Sequence, residues 1–554
     1  MNKLWYGDNL TIMQNMGKHS VDLIYLDPPF NSKQNYNLLY KTMTGKPVPE
    51  QVEAFCDTWE MDAQKEAIAK SMPVLMREHG VDDYYVDFWR LWMQSLRNTQ
   101  PHLLAYLIFM VQRLLYMKSL LRPTGSIYLH CDPTASHYIK VMMDGIFGHD
   151  NFQNEIIWKR TSSHNRAKRW GPVHDVILFY SVGQKFTWNR VLQNLDQEYI
   201  DDFYKFEDKN GRFRISDLTG PGLRSGDSGS AWRNVDPGAR GRHWEPPPDR
   251  ALPSWFVFPN GYAQKSVRER LEILDGQDLI YWPKKQGGMP GFKRYFGSHS
   301  GGALQDIITD IGPISSQSKD RMGYPTQKPI ELLDRIIQAS TNKGDVVFDP
   351  FCGCGTTIYS AVKNERAWIG CDIAILSIKL IREHLTEKYR LIEGHDYAVD
   401  GIPVSVEGAQ ELFNKDPSTF QNWFVERVGG FPMQRKSADR GIDGRIYFET
   451  ESGLREMMIQ VKGGKHVRPT DIRDLRGVLE REENAMLAGF PSMTPPTKAM
   501  LSEASEAGTY EYRGVQYPRI QFLTVEDVLV GKKEFHMPTR VNTKISTGQQ
   551  SFAL

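Results

Sequence analysis

A chain of 554 residues is too long for one ordinary core and is expected to divide into roughly two to four domains. Its 40% hydrophobic and 11% aromatic content is that of a folded chain, and with no apolar run of membrane-spanning length and no basic leader before an apolar core, neither insertion nor secretion is expected and a cytoplasmic setting is read. Five cysteines, an odd count, argue for reduced thiols rather than a disulfide framework, and a net charge of +1 leaves only local charge to be read.

The first strong element is Val21 to Leu26, apolar without polar alternation, the pattern of a strand buried on both faces in a parallel sheet covered by helices. It runs into the sequence DPPFNSKQNYN. Consecutive prolines cannot donate to a sheet ladder and hold the residue before them extended, so the strand stops and projects Asp27 and Phe30 from its end. A long apolar helical stretch follows from Leu103 to Leu121, then the turn signal RPTG and a strand at Ser126 to Leu129. EIIWK at Glu155 and VILFYS at Val176 read as further strands of the same region.

From about Gln184 to Ser316 Gly, Pro, Arg, Asp and Trp dominate and no period persists. Disorder is the plain reading, but Trp232, Trp244, Trp255, Phe256 and Trp282 favour a loop-rich domain that folds around its ligand. Order returns at YPTQKPIELLDRIIQAS, where Pro329 suits a first helical turn and Ile330, Leu333 and Ile337 share one face. The strand DVVF then enters DPFCGCGTT and a helix, and AWIGCD is the next strand. Past Tyr397 a short connector leads to a separate C-terminal region, of roughly 140 residues, long enough for a core of its own.

The glycine loop carries the first chemical argument. Gly353 and Gly355 permit a tight backbone and close ligand approach, as where doubly wound sheets hold nucleotides at strand ends. Asp349 at the strand end repels a pyrophosphate and welcomes the ammonium or sulfonium of S-adenosylmethionine. Asp372, about 20 residues on at the end of the next strand, can accept hydrogen bonds from ribose hydroxyls. Helix N-capping is the plain alternative for each acid. Cys352 and Cys354 lack a nearby second ligand pair and read as small packing residues.

GDN at Gly7, LDPPF at Leu26, PTQKP at Pro325 and FDPFCGCGTT at Phe348 together resemble the amino-group DNA methyltransferases of the permuted class, in which the catalytic DPP motif precedes the glycine motif. The resemblance covers about the first 400 residues and implies that Asp27 and Asp349 meet at the sheet's crevice. It assigns catalysis to Asp27, Pro28, Pro29 and Phe30, with Asp27 and the Pro28 carbonyl accepting from a base amine and Phe30 stacking on a base flipped out of the duplex. It assigns the S-adenosylmethionine site to Asp8, Asn9, Asp27, Thr326, Lys328, Asp349, Pro350, Phe351, Gly353, Gly355, Thr356 and Asp372. Asp at the head of DPPF points to adenine N6, since Ser is commoner there in cytosine N4 enzymes.

The segment WKRTSSHNRAKRWG places Lys159, Arg160, Arg166, Lys168 and Arg169 between aromatics, which suits phosphate neutralisation with stacking; a plain solvated basic loop is the alternative. The insert then becomes the target-recognition region, with Arg224, Arg233, Arg240 and Arg242 able to reach phosphates or guanine edges. Farther on, SADRGIDGRIYF and MMIQVKGGKH resemble Mrr-type restriction endonucleases of the PD-(D/E)xK fold. A strand from Met457 to Lys462 sets Gln460 and Lys462 on one face. The resemblance makes Asp443, Gln460 and Lys462 catalytic, with Asp443 and Gln460 as ligands of Mg²⁺. Glu426, on FQNWFVERV, reads as a helix-surface residue.

The expected architecture is α/β, a doubly wound methyltransferase sheet with a loop-rich insert plus an α/β endonuclease-like domain. The boundaries are 1–183 and 317–398 for the two methyltransferase parts, 184–316 for the insert, 399–414 for a connector, 415–540 for the nuclease-like domain and 541–554 for a tail. Expected partners are double-stranded DNA and no membrane, with a homodimer left open. A C-terminal domain that only binds DNA, and methylation of RNA or protein, are the competing readings.

Overall fold

The computed structural model describes residues 2–29, 36–38, 40–41, 52–55, 59–133, 135–161, 170–193, 197–285, 287–297, 302–315, 318, 322, 327–433, 441–451, 453–464, 467–531, 533–540 and 544–545. The chain forms two compact units, one of Met1–Asn189 with Asp306–Leu554 and one of Arg190–Gln305. The second is narrower than the insert read from composition. Asn189 belongs to the first unit through bonds to Ala339 and Thr341, and Ile307 does so by pairing in parallel with Ile157.

Among its described residues the first unit is built on a nine-stranded sheet. The strands lie in the order Ile307–Ile308, Phe152–Lys159, His174–Ser181, Leu121–Cys131, Val21–Leu26, Val346–Asp349, Ala367–Asp372, Asn2–Tyr6 and Tyr397–Asp400. His174–Ser181 is antiparallel to both neighbours and every other pairing is parallel. All of Val21–Leu26 is buried because both faces are covered. Leu23 and Tyr25 face helices Ile330–Ser340, Thr356–Lys363 and Ile375–Tyr389, while Ile24 and Leu26 face Ala63–Glu78, Asp83–Thr99 and Pro101–Leu120. Pro329 stands just outside its helix as an extended N-cap.

One helix departs from expectation: Pro101–Leu120 has the length and hydropathy of a bilayer-crossing segment. Here it is the central helix of its layer, with Leu104, Tyr106, Leu107, Val111 and Leu114 at zero exposure. An all-round apolar helix is what a core flanked by helices and a sheet demands.

The C-terminal region is not a separate body. Phe420, Trp423 and Phe424 of helix Pro417–Arg427 are fully buried in a cluster that also holds Leu4, Tyr6, Ile378 and Ile381. Its sheet runs Phe431–Pro432, Gly444–Thr450, Gly453–Ile459, Ala485–Ser492, Ile520–Thr524, the first two pairings antiparallel and the last two parallel. Helix Pro469–Arg481 packs Ile472, Leu475 and Leu479 into a further cluster beside this sheet. The strand expected through Lys462 ends at Ile459, although the N–H groups of Gln460 and Lys462 still donate to Gly489 and Pro491.

The unit Arg190–Gln305 is more regular than its composition suggested. A sheet of Phe206–Asp208, Gly211–Asp217, Gly291–Tyr295 and Ile280–Tyr281 and a helix, Val267–Gly276, enclose Trp232, Trp244, Phe256, Leu271 and Leu274. Trp244 donates its indole N–H to Ser230 O at 2.9 Å and Trp232 donates to Glu272 at 2.6 Å. These two tryptophans therefore make a core.

Candidate active site

The pairing of Val347 with Leu23 and Phe348 with Ile24 sets two acid-ended strands side by side and parallel. Asp27 and Asp349 consequently share one end of the sheet, close enough that Asp27 helps raise the Asp349 pKa. Asp349 is 3% exposed and is pushed up to about 7, chiefly by burial and further by the neighbouring Asp27 and Asp372. Its carboxylate accepts from Phe351 N–H at 3.0 Å and Thr357 Oγ1 at 2.5 Å. Asp372, on the next strand, is raised to about 6 by burial and accepts from Gly353 N–H at 2.8 Å and Ala374 N–H at 2.9 Å. Gly355 has φ +90° and a Cβ there would lie 2.7 Å from Ile381 and 2.9 Å from Tyr359, so only glycine fits this turn.

Asp27 uses one oxygen, Oδ2, to pair with Lys328, while Oδ1 is buried with no hydrogen-bond partner among the described residues. Lys328, which the resemblance assigns to the S-adenosylmethionine site, has its ammonium held by Asp27. Pro28 is buried and Pro29 half-buried behind it. Phe30 and Thr326 lie outside the described residues. A cavity of ≈ 400 Å³ is lined by Gln327, Lys328, Thr356, Tyr359, His384 and Lys388 among others. Cys352 and Cys354 are buried thiols pushed up by burial, Cys354 to about 12, and among the described residues no cluster of three His, Cys, Asp or Glu could hold a metal.

Asp8 and Asn9 connect to a residue that sequence reasoning missed. Asp8 caps helix Asn9–Gln14 through Leu10 N–H and pairs with Arg113 at 2.7 Å. Asn9 accepts from Arg113 Nε at 2.7 Å and donates to Pro350 O at 2.8 Å, which ties the first strand's tip to the glycine loop. Arg113 is 7% exposed and lies 3.4 Å over the Phe109 ring. The legible signal was a lone arginine inside the apolar run FMVQRLLY. A second buried chain also went unread: Tyr25 Oη to His130 at 3.0 Å, His130 to Asp175 at 3.1 Å, and Asp175 to Arg160 at 3.3 Å.

Of the basic segment, Lys159 is exposed at the end of its strand and Arg160 is tied to Asp175; Arg166, Lys168 and Arg169 lie outside the described residues. In the other unit Arg224 is exposed, but Arg233 is bound to Glu272 and Asp275 and Arg242 to Asp217 and Thr219. Both guanidinium groups thus engage carboxylates of their own unit. Arg190, Arg250 and Arg294 line a cavity of ≈ 610 Å³ with Glu245, and their guanidinium groups make no ion pair or hydrogen bond among the described residues.

In the C-terminal region the pairing of Gly444 with Ile459 sets Asp443 across from Gln460. Asp443 accepts from Val461 N–H at 2.7 Å, and Gln460 Oε1 is buried with no partner among the described residues. Lys462 pairs with Asp471 of helix Pro469–Arg481 at 3.2 Å. Glu426, read as a helix-surface residue, is half-buried: burial raises its acid to about 8 and it accepts from Ile375 N–H at 3.2 Å.

Parallel strands ending in a glycine turn and converging acids define a nucleotide-cofactor-binding α/β enzyme. Residues 21–383 match the DNA methylase family of N6 and N4 methyltransferases, and the chain belongs to that family. It is 34% identical to the type II methyltransferase M.EcaI of Enterobacter cloacae over 50% of this chain and 56% of that one. It is 28% identical to the Mod subunit of the type III restriction-modification enzyme StyLTI of Salmonella typhimurium over 66% of this chain and 51% of that one. The chain thus spans about half the length of these relatives. Among solved structures the cytosine-N4-specific PvuII DNA methyltransferase aligns with 75% of this chain and 92% of its own at 11% identity and a TM-score of 0.32, too distant to bear on the site.

Arg113→Met keeps the stem and removes every donor. It is expected to lower stability by about 2–3 kcal/mol, the worth of charged hydrogen bonds to Asp8 and Asn9, read as a lower urea midpoint. Arg113→Lys should recover part of the loss.

Proposed function

We propose that the chain is an S-adenosylmethionine-dependent DNA methyltransferase acting on adenine N6 in double-stranded DNA. The observation that carries this reading is Asp27 Oδ1, a buried acceptor at the tip of the strand without a donor among the described residues. Such an atom costs free energy unless something fills it, and the N–H of an exocyclic base amine is a suitable donor. Asp at this position favours adenine N6 over cytosine N4.

The acids suit the cofactor. Asp27, Asp349 and Asp372 raise the negative potential at one sheet end, and a nearby sulfonium or ammonium favours the ionised form of Asp349. Asp349 and Asp372 would hold the cofactor, with Gly353 and Gly355 keeping the turn clear of side chains. When bound, S-adenosylmethionine supplies an activated methyl group. The chain's own part is to accept the amine N–H at Asp27 and the Pro28 carbonyl, opposing delocalisation of the nitrogen lone pair into the ring, while Lys328 fixes the Asp27 carboxylate through its other oxygen. Positioning of this kind is the main contribution to rate. The stacking role of Phe30 rests on its place in the sequence alone.

Asp27→Ala is expected to lower methyl transfer to DNA by a factor on the order of 10²–10⁴, with S-adenosylmethionine binding by calorimetry largely kept. Full transfer by the variant refutes the role, and labelled methyl appearing in RNA or protein instead of DNA refutes the substrate.

We further infer that the unengaged Arg190, Arg250 and Arg294, rather than Arg233, read the target. Arg294→Ala should relax base preference at one position of the site by about 1–3 kcal/mol, as loss of an arginine–guanine pair does. A uniform loss over all sequences, with a shallower salt dependence, would assign it to phosphate instead.

A second activity, Mg²⁺-dependent DNA cleavage, is favoured by Gln460 Oε1, a buried oxygen across from Asp443 with no partner among the described residues. These two oxygens suit a hard cation that keeps several waters, and Lys462 would then stabilise charge on the phosphate. Unmethylated plasmid with Mg²⁺ should be cut by the parent chain and left intact by Lys462→Ala, whose methylation continues. A parent chain that never cuts leaves this region a DNA-binding one.

A further inference from the structure

The helix Ile375–Tyr389 starts directly after Asp372, yet it has no cap of its own: its N-cap is Ala374, which offers no side-chain acceptor. The first N–H groups of a helix need acceptors from elsewhere. Asp372 takes that of Ala374. The next, Ile375 N–H, is taken by Glu426 Oε2 at 3.2 Å, fifty-one residues along the chain on the last turn of helix Pro417–Arg427. The same carboxyl lies beside the buried Tyr6 hydroxyl, and Asp372 is near enough to perturb it. Tyr6 ends the strand that leads through Gly7 into Asp8 and Asn9, and Gly7 N–H donates to Asp372 O at 3.0 Å.

One half-buried acid from the C-terminal region thus lies against the start of the helix that follows Asp372 and the end of the strand that leads into Asp8 and Asn9. Nothing in its own sheet requires it there, since the apolar face of that helix, Phe420, Trp423 and Phe424, already seats the region. We propose that Glu426 is a positioning residue for cofactor binding, supplied in place of a missing helix cap, so that the C-terminal region is a working part of the methyl-transfer site whether or not it cleaves DNA. The proposal rests on the reading of that site as one for S-adenosylmethionine. Because burial raises its acid to about 8, Glu426 is chiefly protonated near neutrality and glutamine is a close mimic of it.

The test uses the full chain, with S-adenosylmethionine titrated by calorimetry and steady-state methylation measured in parallel. Glu426→Ala is expected to weaken S-adenosylmethionine about tenfold, of the size of one lost hydrogen bond with its buried donor left over, as a higher KM for the cofactor with kcat and the KM for DNA little changed. Glu426→Gln should stay near the parent value, and Ala374→Ser added to Glu426→Ala should restore affinity by supplying a cap within the chain's own turn. Should the alanine variant fail to fold, Glu426→Asp, one methylene shorter, carries the same expectation of weakened binding. Unchanged cofactor affinity in the folded alanine or aspartate variant overturns the proposal. A parent chain that does not bind S-adenosylmethionine overturns the functional reading instead, and the two failures are distinct.

Discussion

The site depends on one backbone pairing, that of Val21–Leu26 with Val346–Asp349. One strand runs into Asp27 and the other ends in Asp349, each acid followed by proline, and the parallel register brings both carboxyls to one end of the sheet. More than three hundred residues intervene in the chain, including an entire compact unit, and none of them alters the register because both strands are buried on both faces. A slip of one residue would turn Leu23 and Tyr25 into the wrong core and send Asp27 to the wrong side.

Gathering acids in this way is costly unless each is given donors, and the donors here come from the loops that the acids organise. Asp349 holds Phe351 and Thr357, and Asp372 holds Gly353 and Ala374. The carboxylates are therefore both the fasteners of the glycine turn and the source of its negative field. Asparagine could not replace either, since each uses two oxygens as acceptors. Burial and, after it, repulsion from Asp27 and Asp372 raise Asp349 to about 7, so a cation beside it would favour its ionised form.

What was readable in the sequence follows from how local each signal is. The strand of Asp27 and the turn of Gly353 and Gly355 announce themselves through proline, glycine and unbroken apolar runs, all short-range features. Arg113, His130 and Asp175 were missed because their partners are decided by packing over long sequence separations; in the sequence each is one polar residue beside an apolar run. Arg233 shows the opposite limit. Its local setting, basic and aromatic, is that of a nucleic-acid contact, and only the fold shows Glu272 and Asp275 taking both ends of its guanidinium. The tryptophans of the insert looked like ligand-binding residues when two of them, Trp232 and Trp244, build a core. Glu426 looked exposed since its helix was read without the sheet edge it packs on.

The two appendages of the catalytic sheet differ in how they are attached, with consequences for what each can change. Arg190–Gln305 encloses its own cluster of Trp232, Trp244, Phe256 and Leu271, so substitutions on its surface arginines alter a body with a core of its own. The C-terminal region has no such independence: Phe420 and Trp423 share one core with Leu4 and Ile378. A change there is felt by the first strand and by the helix after Asp372, because close-packed interiors transmit volume changes and neighbouring sites do not add independently. Substitutions in Arg190–Gln305 thus act within a core of its own, whereas those in the C-terminal region act on a core shared with the first strand.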